Sequence, residues 1–194
     1  MKKKLPIVLD LETKKKFSEV KDHKDLGVSL VGIYNYNTKE YSAYLENELT
    51  KLFKVLEDSS YIIGFNIAGF DIPVLQEYYP GDFSNFATFD ILEDLRQKLG
   101  KRYSLNYLTF ATLGKKKSGH GLQAVDFYRE GNIEALKKYC LRDVELTKEL
   151  FEYGVGKGEV YYMDESRKIP VSVSWKQYLT GQNKKDTHLT LPFE

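Results

Sequence analysis

Cysteine is nearly absent: Cys140 is the only one in 194 residues. A single thiol excludes an intramolecular disulfide and any zinc site resting on several thiolates. It fits a reducing compartment, so a cytoplasmic location is expected. Long apolar runs are missing too. No stretch approaches the roughly 20 apolar residues that cross a bilayer, so no membrane segment is expected. The opening MKKKLPIVLD imitates the basic and apolar parts of a signal peptide, but its apolar run is short and ends in Asp10 and Glu12, which argues against a secretory leader. Nor is there an excess of one charge: 29 Lys and Arg stand against 28 Asp and Glu, a formal net charge of +1. A protein that coats nucleic acid by bulk charge is thereby excluded. What remains is an enzyme touching a few phosphates, or a protein that takes its affinity from a partner.

The length suits one domain with a sizeable core. Aromatic residues are plentiful at 14%, mostly Tyr and Phe. They suit β-structure and base stacking alike. Basic residues fall in runs at 2–4, 14–16, 115–117 and 184–185, read first as solvated loop tips. There is no internal repeat.

The almost wholly apolar run 5–11 predicts a strand buried on both faces, as at the centre of a sheet. Residues 28–34 and 41–45 are rich in β-formers, and 35–39 joins them as a hairpin. Helical spacing of apolar residues marks 49–56. A second buried strand is expected at 61–65, and a short helix at 71–79 with Pro73 in its first turn. A strand at 86–89 leads to a helix at 91–99, capped by Asp90 with Glu93 completing a capping box and ended by Gly100. Helices are also expected at 105–113, at 122–129, and at 133–153 behind the N-cap Asn132, with Gly154, Gly156 and Gly158 breaking the last. A terminal hairpin comes next, at 159–163 and 169–175. Beyond Tyr178 the chain is polar and read as loose, although 189–193 could dock. This order predicts an α/β fold, a mixed sheet with helices on both faces. Residues 1–153 form its core, and 154–194 form a C-terminal β-hairpin extension packed on the same domain.

Asp10 and Glu12 are two apart on a predicted strand, so their side chains share a face near its carboxyl end, where α/β sheets gather ligands. Two adjacent carboxylates repel and resist desolvation unless a cation joins them, and an all-oxygen cluster suits Mg2+ or Mn2+. Asp71 comes shortly after the apolar YIIGFN and opens a helix. Tyr139 and Asp143, four apart in a helix, lie on one face. Each feature alone has a bland explanation: a strand end, a helix cap, a core tyrosine beside a surface carboxylate. In order along one chain they form a composite of IVLDLET, IIGFNIAGFDIPVL and YCLRDVELTKEL.

That composite, over about 5–153, resembles the DEDD exonuclease superfamily, and within it the branch that bears a Tyr ahead of the last Asp. The segments are similar to the proofreading exonuclease of family B DNA polymerases, and their compact arrangement resembles YprB-type ribonuclease H-like exonuclease domains. The resemblance implies a ribonuclease H-like mixed β-sheet with flanking helices and a metal-dependent 3′–5′ exonuclease. It implies two divalent cations, Mg2+ or Mn2+. Asp10, Glu12 and Asp143 would bind one, Asp10 would bridge to the second, and Asp71 would act on the second through water. Tyr139 would orient the attacking water; with a reference pKa near ~10 it is a poor base at neutral pH. In the branch with His, that residue stands five before the last Asp. Here the position is Lys138, and His120 lies too far upstream. The resemblance also implies substrate contacts: the backbone at Leu11, Thr13 at the 3′ end, and Asn66 and Phe70 lining the same groove. Phe70 would stack on or wedge against a base, although core packing explains it equally. The runs 14–16 and 115–117 could reach phosphates of the strand. Asp90 matches an acidic position after the second segment, but its capping role suffices.

The expected partner is the 3′ end of a single-stranded nucleic acid, DNA favoured over RNA, with a polymerase or helicase as the protein partner to consider. Against this stand a catalytically idle nucleic-acid-binding or scaffolding module on the same fold, and a structure-specific endonuclease. Retention of the full acidic set argues against the idle module. Nothing in the sequence specifies a junction-binding dimer.

Overall fold

Strand β1 (Ile7–Thr13) lies at the centre of a five-stranded sheet in the computed structural model, which describes residues 4–115 and 123–180. Lys2, Lys3, Lys116, Lys117, His120, Leu122, Lys184, Lys185 and the segment 189–193 lie outside the described residues. Ile7, Leu9 and Leu11 enter one apolar core and Val8 enters another, so β1 is covered on both faces as its apolar run predicts. It ends two residues later than that run suggests. Pairing with β2 (Val28–Asn35) continues through Glu12 opposite Leu30 and Thr13 opposite Val28. The antiparallel partner of β2 is β3 (Glu40–Leu45), which closes the expected hairpin. On the other side, β4 (Ile62–Gly64) runs parallel to β1, and β5 (Thr88–Asp90) parallel to β4. The order β3-β2-β1-β4-β5 makes the sheet mixed, as expected. Chain direction changes sense at β1, and the carboxyl end of such a strand is where α/β sheets open a crevice.

One face is covered by α1 (Leu49–Glu57) and α2 (Asp71–Gln76), whose Leu52, Leu56, Val74 and Leu75 pack with Ile7, Leu9 and Leu11. The other face carries α3 (Ile91–Leu99), α4 (Leu105–Leu113) and the long α6 (Ile133–Lys157), with α5 (Gln123–Arg129) packed on α6. Asp90, Gly100 and Asn132 cap where the sequence puts them, but Glu93 completes no capping box, since its carboxylate accepts from Arg96 and Gln97. Asp90, Ser104 and Asn132 accept from backbone N–H groups of α3, α4 and α6, and Gly100, Gly114 and Gly158 end the three helices in the left-handed conformation.

The expected break at Gly154 is absent: α6 runs through Gly154 and Gly156 and stops only at Gly158. Gly154 is glycine for a tertiary reason. A Cβ there would lie 2.3 Å from Cε3 of Trp175. Trp175 comes after the hairpin of β6 (Glu159–Asp164) and β7 (Arg167–Ser172) and precedes a short helix, α7 (Lys176–Leu179), that the sequence does not reveal. Its ring stacks over Phe151 at 6.1 Å, and its Nε1–H donates to Asp94 at 2.8 Å. Gly154→Ala is expected to cost about 1–3 kcal/mol through overpacking. Urea unfolding followed by fluorescence of Trp175, the only tryptophan, measures it. An unchanged midpoint would mean that the ring moves aside freely.

Candidate metal centre

Asp10 and Glu12 alternate with Ile7, Leu9 and Leu11 on β1, so they face the opposite side of the sheet, toward α6. The helix comes close there because Gly32, directly opposite Asp10 on β2, has no side chain. A Cβ at Gly32 would meet Cys140 Sγ at 2.8 Å and Val144 Cγ2 at 3.1 Å. Cys140 is fully buried, and its Sγ lies 3.7 Å from Asp10 Oδ2. One ligating atom each from Asp10, Glu12 and Cys140 fall within 4.8 Å of one another. Burial, and after it the charges of Asp10, Glu12 and Asp143, push the Cys140 thiol well up. The three carboxylates therefore converge around one buried sulfur. Gly32→Val is expected to lever α6 off the sheet and lower any activity of this site by roughly a hundredfold, since displacements near 1 Å have that effect. Steady-state rates at unchanged far-UV CD check it, and a wild-type rate would show the close approach to be dispensable.

Asp71 opens α2 and is almost wholly buried, at 3% exposed. Burial first, and the charge of Asp90 second, raise its carboxyl to about 8. Backbone hydrogen bonds from its own amide and from Leu11 oppose that rise. The Leu11 amide thus links Asp71 to β1 between Asp10 and Glu12. Oδ1 of Asp71 is buried without a hydrogen-bond partner among the described residues. A buried carboxylate with an orphaned oxygen, facing the further negative charge of Asp90, lacks positive charge, and its hard oxygen donors suit Mg2+ or Mn2+. The residues present therefore fit a divalent cation.

The segment that delivers Asp71 is tightly constrained. A Cβ at Gly64 would strike Ile67 Cγ2 at 2.2 Å and the Leu9 carbonyl oxygen at 2.9 Å, and Asn66 turns the chain with φ of +69°. Asp90 accepts from Asn66 N at 2.9 Å, Ala68 N at 3.0 Å, Leu92 N at 2.9 Å and Glu93 N at 3.3 Å. It caps α3, as the sequence implies, and also fastens the loop ahead of Asp71, a second duty that spacing could not reveal. Arg102 Nη2 donates to Asn66 Oδ1 at 2.6 Å.

Tyr139 and Asp143 line a cavity of about 700 Å³ together with Phe127 and Lys138. Asp143 and Asp10 line a second, of about 420 Å³, with Asn66 and Arg102. Asp143 thus stands between the two. Of the other expected contacts, Leu11 points into the core, and the buried Thr13 donates its hydroxyl to the Lys15 carbonyl at 2.8 Å. Phe70 is half-buried, its ring 5.2 Å from the exposed Phe17. Of the described residues in the basic runs after β1 and α4, three are engaged within the molecule. Lys14 pairs with Glu46, Lys16 with Asp126 at 3.1 Å, and Lys115 with Glu149. Lys16–Asp126, with Arg129–Glu19 at 2.7 Å, clasps the segment after β1 to α5. Cys140 and Gly32 are parts of the site that the sequence reading missed. For Cys140 a signal existed, since it stands three residues before Asp143 on one helix.

No curated protein sequence matches this chain. Among solved structures it is similar to the family B DNA polymerase from the hyperthermophilic archaeon Pyrobaculum calidifontis, with a TM-score of 0.60 and 16% identity, covering 77% of this chain and 24% of that one. At that identity the likeness speaks for the fold, and this chain spans less than a third of the polymerase's length. The model of the RNase_H superfamily matches residues 7–155, from the first residue of β1 to the last turns of α6. The match takes in the whole sheet and all four acidic positions, and on that extent the chain belongs to the RNase_H superfamily.

Proposed function

We propose that this protein is a metal-dependent 3′–5′ exonuclease that hydrolyses phosphodiester bonds at the 3′ end of single-stranded nucleic acid. The observation that carries the reading is the buried Asp71, with one oxygen unpartnered among the described residues, tied through the Leu11 amide to the strand that presents Asp10 and Glu12. Asp10, Glu12 and Asp143 would hold one divalent cation, and Asp10 with Asp71 a second. When bound, such a pair acidifies the attacking water and neutralises the leaving 3′ oxygen.

The chain's own residues do the rest. Tyr139, one turn before Asp143, would orient the water by a hydrogen bond from or to its hydroxyl, because a phenol is not a base at neutral pH. Leu11 and Thr13, Asn66 and Phe70 would bound the groove for the terminal nucleotide, Phe70 with Phe17 offering ring faces to bases. The preference for DNA leans on the polymerase likeness, and a polymerase or helicase is the protein partner proposed. The C-terminal hairpin extension would form one domain with the core of 1–153.

Incubation with Mg2+ or Mn2+ and a 5′-labelled single strand tests the reading, with matched DNA and RNA. A ladder shortening from the 3′ end is the expected result. A single internal cut would favour an endonuclease, and binding without cleavage an idle module. Either would overturn the proposal.

A further inference from the structure

We infer that Arg102 is a substrate-binding residue that receives a backbone phosphate of the bound strand in the cavity beside Asp10 and Asp143. The inference rests on the exonuclease reading of the site. Arg102 is the cationic residue among those lining the cavity that also contains Asp10 and Asp143. Its position needs a reason, because an exposed arginine gains little from the protein itself there. Its one hydrogen bond among the described residues goes to the neutral Asn66 amide, which a glutamine could supply as well. Glu93, the carboxylate on which its charge acts, is already held by Nε and Nη2 of Arg96. Most of the guanidinium fork therefore remains available, and that planar fork matches phosphate oxygens.

The surroundings agree. Ser104 and Leu105, at the N-terminus of α4, line the same cavity, and a helix N-terminus favours an anion. Asn66 holds the guanidinium at 2.6 Å while its own backbone is pinned by Asp90, so the fork is oriented before any strand arrives. The need is electrostatic. The two cations would offset the carboxylates but leave the strand's own phosphates to be met, and Lys14, Lys16 and Lys115 are committed to Glu46, Asp126 and Glu149.

The test measures binding rather than cleavage, by fluorescence anisotropy of a labelled single-stranded DNA in Mg2+, in an Asp143→Asn background so that the strand survives. The strand carries one neutral methylphosphonate, moved linkage by linkage from the 3′ end. With Arg102 present, affinity is expected to drop sharply at one linkage. Arg102→Gln is expected to bind the unmodified strand roughly ten- to a hundredfold more weakly, with a salt slope shallower by about 0.7, and to be indifferent to the methylphosphonate at that linkage. Asn66→Ala, which keeps the guanidinium, should retain the slope. Equal affinity and slope in Arg102→Gln would overturn the inference. So would weaker binding that still shows the full penalty at every linkage, which marks a merely structural role through Asn66. Should Arg102→Gln fold poorly, Arg102→Lys decides: unchanged affinity and an unchanged penalty at every linkage would refute the fork. A wild-type protein that never shortens the strand yet shows an Arg102-dependent linkage would sink the nuclease proposal and leave this one standing. Normal strand shortening with a neutral Arg102→Gln would do the reverse.

Discussion

Asp143→Asn is expected to reduce 3′-end shortening of a single strand by roughly a thousandfold or more, with the fold intact. The side chain keeps its size and loses its charge, and in a site where Asp10, Glu12 and Asp143 all bear on the buried Cys140, losing one charge relieves repulsion. The far-UV spectrum and melting temperature of the metal-free variant should therefore match or exceed the wild type. Tyr139→Phe removes only a hydrogen bond to water and is expected to slow the reaction less, roughly ten- to a hundredfold. Rate measurements on both variants at saturating Mg2+ check the order. Wild-type turnover in Asp143→Asn would refute the assignment of that residue.

The second large effect lies in stability. The Asp71 carboxyl titrates near 4 in an unfolded chain and is raised to about 8 in the folded one, by burial and then by Asp90. The folded state thus binds this proton more tightly. Below about pH 4 both states are protonated and the group costs nothing. As pH rises from about 4 to about 8, the unfolded chain ionises while the folded one resists, and stability falls. At about 1.4 kcal/mol per pH unit the loss by pH 8 is on the order of several kcal/mol, a large part of a domain's net stability. Metal-free Asp71→Asn is expected to melt well above the wild type at pH 8 and alike at pH 4. Saturating Mn2+ should raise the wild type at pH 8 far more than the variant. Calorimetry at both pH values decides it. Equal melting temperatures at pH 8 without metal would mean that Asp71 is not held in a desolvated pocket.

Much of this arrangement was legible because it depends on local pattern. The run IVLDLET shows both its burial and the shared face of Asp10 and Glu12, and the caps at Asp90 and Asn132 follow from residue type. The features that escaped depend on contacts distant in sequence. Gly154 reads as a helix breaker, yet it sits inside α6 because Trp175 packs against it. The last residues of β1 take their strand form from Leu30 and Val28 on β2. Nothing in the spacing tells that Gly32 admits α6 to the sheet, that the Lys14 and Lys16 ammoniums are taken by Glu46 and Asp126, or that Arg102 reaches the cavity of Asp10. The four acids were proposed from their order along the chain. That Asp10, Glu12 and Asp143 lie about Cys140 belongs to the fold.

The most direct measurement is anomalous diffraction from crystals grown with Mn2+. Two manganese peaks a few Å apart are expected, one ligated by Asp10, Glu12 and Asp143 and the other shared by Asp10 and Asp71. Manganese bound elsewhere, or a full-occupancy crystal in which the Asp71 carboxyl faces no ion, would contradict the account.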